Sequence, residues 1–140
     1  MNKLVLFFII FLSVNTNIRA NENDIHLICI CEGGSYLSTE GSTTGKESCH
    51  TQTKEVIFNE KKKSFNSDLP FVMNRCLEPT FPEKKIILNC KPEDNVIAYV
   101  EINRTNGDLM SDIIKYKSNK NNEFEIRWTL NYNCIKKETF

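Results

Sequence analysis

The chain has 140 residues, 40% of them hydrophobic, with 18 basic and 18 acidic side chains and six cysteines. Its one basic cluster, "KKK" at 61–63, makes no basic stripe, which argues against a protein that works by holding nucleic acid. The length suits one small domain, whose modest core gains from covalent staples.

Residues 1–20, "MNKLVLFFIIFLSVNTNIRA", open with Lys3 and an apolar core from Leu4 to Val14. Ile18 and Ala20 then stand at the minus three and minus one positions of a cleavage site. This is the pattern of a secretory signal peptide. The apolar core falls short of the roughly 20 residues that span a membrane. Position 21 is Asn, so no lipoprotein acceptor cysteine follows. The expectation is a secreted or periplasmic domain over 21–140 without a membrane span. It keeps all six cysteines, Cys29, Cys31, Cys49, Cys76, Cys90 and Cys134. An even number in a short exported chain reads as a disulfide framework.

Taken in order, residues 24–31 alternate as a strand. Ile25, Leu27, Cys29 and Cys31 share one face; Asp24, His26, Ile28 and Ile30 share the other. Residues 32–48, rich in Gly, Ser and Thr, read as a long loop or loose hairpin. "TKEVIFNEKKKSF" (53–65) reads as strand, and the proline-bearing 67–83 as a crossing over the sheet with a helical turn near Pro70. "KKIILNC" (84–90) is a strand ended by "KPED", a type I turn with Pro92 at its second position. "NVIAYVEINR" (95–104) puts Val96, Ala98, Val100 and Ile102 on one face, and "TNGD" (105–108) carries the Asn-Gly signal of a two-residue hairpin. "LMSDIIKYK" (109–117) returns, and "SNKNN" (118–122) reverses the chain again.

"EFEIRWTLNYNC" (123–134) is the clearest strand. Phe124, Ile126, Trp128, Leu130, Tyr132 and Cys134 face inward, with a bend expected near Asn131. The fold class that follows is all-β: a small antiparallel meander forming a half-barrel or sandwich, stapled by disulfides.

Cys29 and Cys134 lie on the buried faces of the first and last strands, which favours their pairing in a curled meander. Cys31 and Cys49 bracket the polar 32–48 stretch, and Cys76 and Cys90 bracket the crossing, so local bridges are expected there. Exchanging Cys29 and Cys31 is the closest competing pattern. A metal-handling alternative would use Cys29, Cys31, Cys49 and His50, although a regular strand turns His26 away from its neighbours.

Motifs for catalysis are sparse. "GSTTGK" (41–46) is one residue short of a phosphate loop, and Glu47 stands where that loop needs Ser or Thr. No G-x-S-x-G occurs. Glu123 and Glu125 share a face with Arg127 and Thr129, as on a solvated strand surface. "NRT" (103–105) fits the glycosylation acceptor pattern.

"AYVEINRTNGDL", "NYNC" and the terminal "KKETF" resemble a pattern in short exported bacterial proteins. There an Ile-Asp/Asn-Arg, a following Gly, a late Cys and a final aromatic recur. Many of them have Gly before the late Cys, where this chain has Asn133. The resemblance implies an envelope location and a β meander, and no activity. The function expected is therefore a non-catalytic binding domain for a small molecule or an envelope protein, with no cofactor. An enzyme of unfamiliar type is the further alternative.

Overall fold

The computed structural model describes residues 23–49, 53–70, 75–118 and 120–137; the expected signal peptide and His50 lie outside the described residues. One antiparallel sheet holds β1 (Ile25–Ser38), β2 (Gly41–Thr44), β3 (Thr53–Asn59), β4 (Ser64–Ser67), β5 (Lys85–Glu93), β6 (Val96–Asn103), β7 (Asp108–Lys117) and β8 (Lys120–Lys136). A single 3₁₀ turn, η1 (Gly45–Ser48), is the one helical element among the described residues. The strand order is β4-β3-β1-β8-β7-β6-β5, and β2 pairs with the far end of β1. Of the two expected architectures, the sheet takes the curled half-barrel.

Alternation builds the concave face. Val96, Ala98, Val100 and Ile102 of β6 are buried, as are Trp128, Leu130, Tyr132 and Cys134 of β8 and Leu109, Ser111 and Ile113 of β7. Each aliphatic side chain fully buried in this way contributes about 1.5–3 kcal/mol. The convex face carries cross-strand charge pairs instead. Arg127 grips Asp112 with Nε at 3.2 Å and Nη2 at 3.0 Å, and Lys85 meets Glu101 at 2.8 Å; where the β7–β8 register shifts, Lys117 meets Glu123 at 3.0 Å, and Lys115, on the parity of Ile113, meets Glu125 at 3.5 Å.

Several local expectations are corrected. Of the long loop and the loose hairpin expected over 32–48, the structure takes the hairpin: 32–38 extend β1 because residues 126–131 of β8 offer them a ladder, and β2 folds back as the second arm. Pairing partners, not intrinsic preference, make this Gly/Ser-rich stretch a strand. Pro92 is not in the turn after β5. It sits in a bulge between Cys90 and Glu93, where its missing N–H costs no ladder bond, and Glu93 opposite Val96 leaves Asp94-Asn95 as the turn. Asn106-Gly107 does not make a two-residue turn either. The loop is 104–107, closed by Gly107 N–H donating to Asn103 O at 2.9 Å. Gly107 has φ +79, and a Cβ there would strike the Cys134 carbonyl oxygen. β8 is one strand through Asn131, where a bend is expected, and the register shift between Cys31 and Gly33 of β1 lies opposite that position.

The crossing protects the β5 edge. Leu77 N–H donates to Asn89 O at 2.8 Å, Thr80 and Ile87 exchange bonds at 3.0 and 2.9 Å, and Cys76 is bonded to Cys90. An unpaired strand edge is a template for aggregation, and this segment covers it. The helical turn expected near Pro70 falls partly on 71–74, outside the described residues. Side chains also link β3 and the turn after it to the crossing and to the turn after β6. Phe58 and Phe81 have ring centroids 6.2 Å apart, Leu69 is fully buried, and Arg104 meets Glu60 at 3.0 Å.

Candidate functional site

The site begins with a one-residue irregularity. On β1, Cys29 and Cys31 lie opposite Cys134 and Tyr132, but the register shifts between Cys31 and Gly33. Glu32 is the extra residue, so the inward parity changes from odd to even. Tyr36 thereby comes opposite Trp128, on the concave side. Gly33, at φ +142, allows the bulge; a Cβ on it would come within 2.9 Å of the Gly45 backbone. Bulge and η1 therefore pack backbone to backbone.

Two further links hold η1 over this end of the half-barrel. Cys31 is bonded to Cys49, and Trp128 Nε1 donates to Ser48 O at 3.0 Å. The indole is anchored by its N–H, while the ring lines the mouth with Tyr36. On one side of the pair lies a cleft of about 350 Å³ bounded by Thr43, Glu47 and Ser48. On the other lies a cleft of about 310 Å³ bounded by Glu93, Val96, Ile113, Lys115 and Ile126. Both are at the small end of the roughly 300–1,000 Å³ typical of ligand pockets; the second has the usual apolar lining, whereas the first sets Thr43, Glu47 and Ser48 beside the two aromatic residues. The centre of the half-barrel is filled by its own side chains, so space for a ligand lies at the mouth and not along the concave face. A third cleft of about 440 Å³ opens at the opposite end, between Phe58, Ile86, Ile102 and the 103–107 turn. Its lining has one aromatic residue, Phe58, among those described, and its Arg104 is engaged with Glu60.

The charges at the mouth are uneven. Lys115 meets Glu125, whereas no ion pair to Glu47 or Glu93 is found among the described residues. The shifted groups lie elsewhere. Hydrogen bonding to the Glu101 carboxylate, with some burial, pushes Tyr99 up to about 12. The Lys85 ammonium, then the Tyr99 hydroxyl, holds Glu101 below the usual carboxylate range. Tyr132 is pushed up to about 12 by burial. The Asp112 carboxylate raises Arg127. These are satisfied groups of the sheet, each with its partner or its burial to account for it.

All three disulfides form: Cys29–Cys134, Cys31–Cys49 and Cys76–Cys90, with no free cysteine among the described residues. They join the partners that strand parity and loop bracketing pointed to. Cys29, Cys31 and Cys49, offered above as metal ligands, are half-cystines here, and no cluster of three or more ligating side chains occurs among the described residues. Glu123 and Glu125 stand in separate lysine pairs. Asn103 of the glycosylation pattern is half-buried at a turn, its Oδ1 accepting from Thr105 N–H at 2.9 Å. Tyr36 is not legible as an inward-facing residue in a stretch, 32–48, that reads as a long loop or loose hairpin. The Gly33-Gly34 pair was the available signal, since glycines within a strand pattern mark bulges and close backbone approaches.

The chain matches no protein-family model, no curated protein and no solved structure.

Proposed function

We propose that this chain is an exported, non-catalytic binding domain that holds a small ligand at the Tyr36–Trp128 mouth. The observation that carries the reading is the aromatic pair set across β1 and β8, with apolar walls and unpaired carboxylates at the rim. Export is supported by the 1–20 pattern and by three disulfides, which persist in oxidising compartments. No helix among the described residues is long and apolar enough to cross a membrane. The exported form is expected to begin near Asn21; intact Met1 on that form would count against export.

A fragment mixture followed by protein NMR tests the binding. Compounds should shift the Trp128 indole N–H signal and the amides of Tyr36 and Ser48, and Tyr36→Ala should weaken those shifts. Hits confined to the opposite end, or none at all, overturn the reading. An envelope-protein partner is the second reading, favoured by Ile30 and Ile135, 50% and 59% exposed on the convex face beside half-buried Ile28. Ile30→Lys should abolish such an interaction while leaving the mouth's ligand bound.

A further inference from the structure

We propose that the cleft at the opposite end of the half-barrel is a second binding site, and that it takes a short alkyl chain ending in a carboxylate. Its floor is apolar: Phe58, Ile86 and Ile102 are buried there, with Ile25 and Leu27 half-buried at the edge. The rim is cationic. Lys136 continues the inward row of Leu130, Tyr132 and Cys134 and stands opposite Leu27, where an apolar side chain would extend the core. A lysine in that place covers apolar surface with its stem and carries its ammonium to the rim. Arg104 is the other cation of the lining, held by Glu60 at 3.0 Å. No carboxylate lines this cleft among the described residues.

The neighbouring acids are engaged elsewhere. Glu55 meets Lys137 at 3.0 Å, Asp24 accepts from Asn59 at 2.6 Å, and Asp108 accepts from Asn106 at 2.6 Å. Lys137 thus finds a partner, whereas Lys136 has no ion pair among the described residues. A negative head group completes such a rim, and a cation is repelled. The apolar floor separates an alkyl carboxylate from a small inorganic anion, which would gain nothing from burying it. The walls are preformed. Cys134 N–H donates to Gly107 O and Arg104 N–H to Lys84 O, both at 2.9 Å, and the Cys29–Cys134 bond fixes the end of β8 on β1. A site that needs little ordering keeps more of its contact energy as affinity. The volume of about 440 Å³ suits a short chain.

Octanoate, octan-1-ol and octylammonium share one tail and differ in head group, and acetate keeps the charge without the tail. Shifts of the Asn106 and Gly107 amides of the disulfide-bonded protein report their binding by NMR at fixed ionic strength. Octanoate should bind about fivefold more tightly than octan-1-ol, with octylammonium and acetate weaker than either. Lys136→Gln, at an exposed position, should remove the preference for octanoate and leave octan-1-ol unchanged, whereas Lys136→Arg should retain it. Tyr36→Ala, at the mouth, should leave octanoate binding as it is, so the two sites are judged separately. Equal affinity for octanoate and octan-1-ol, or for octanoate and acetate, would overturn the proposal. Preference for the amine, or no shift at the 103–107 turn, would overturn it too. So would the same shifts on concentrating the protein alone, which would assign the cleft to a second copy.

Discussion

Ser111 is fully buried between Val100 of β6 and Leu130 of β8, and its hydroxyl is the one buried side-chain polar atom without a hydrogen-bond partner among the described residues. Such a group loses water and gains nothing in return. Ser111→Ala should therefore stabilise the fold by about 1 kcal/mol, seen as a higher urea midpoint with an unchanged denaturant slope. A lower midpoint would mean that the hydroxyl is satisfied after all. Tyr132, 2% exposed, is the titrating counterpart. Its folded pKa, about 12, is above the ordinary value of 10.0, because burial penalises the phenolate. A raised folded value gives stability that is complete below the unfolded pKa and lost as pH rises through the folded one. Between pH 10 and 12 the loss should reach roughly 2–3 kcal/mol. Tyr132→Phe should flatten that alkaline decline, as read from urea midpoints across the range. An equally steep decline in the variant would assign it to another group.

At the scale of elements, η1 depends on links that its own sequence does not supply. Four residues of 3₁₀ turn have little stability alone, and no side chain caps the N-terminus of η1. The Cys31–Cys49 bond and the Trp128–Ser48 hydrogen bond hold it on the half-barrel. Replacing Cys31 and Cys49 together with Ala should cost about 3 kcal/mol from the opened 18-residue separation. It should also shift Trp128 emission to the red, because water reaches the indole once η1 lifts. Lost stability with unchanged emission would show that the hydrogen bond alone holds the segment. The same comparison bears on the candidate site, since η1 forms one wall of it.

The whole molecule is closed by the bond of greatest span. Cys29–Cys134 joins directly opposed residues of β1 and β8, 105 positions apart, with Cα atoms 3.9 Å from each other. Loop-closure entropy grows with span, so its removal by a double Cys→Ala change should cost about 4–5 kcal/mol, against about 3 for Cys76–Cys90 at a separation of 14. The loss for Cys29–Cys134 approaches the entire stability of a marginal domain. Urea midpoints of the two variants give the order, and the reverse order would mean that edge protection by the crossing outweighs chain closure.

Much of this was determined by the sequence alone. The alternation in 24–31, 95–104 and 123–134 set the strands and their inward faces, because a side-chain period of two is a property of each strand by itself. That parity also put Cys29 and Cys134 on the same buried side. Bulges, strand ends and closure were decided only in the tertiary structure. The strand state of 32–38 depends on the ladder that β8 provides, and the inward turn of Tyr36 depends on a register shift at Glu32. Pro92 moved from turn to bulge because the β5–β6 pairing chose Asp94-Asn95 as its reversal. Hydrogen bonds between segments distant in the chain set these outcomes, and local preference cannot anticipate which partner a backbone will meet. The mouth, assembled from β1, β2, η1, β5, β6, β7 and β8, exists only once those partners have met.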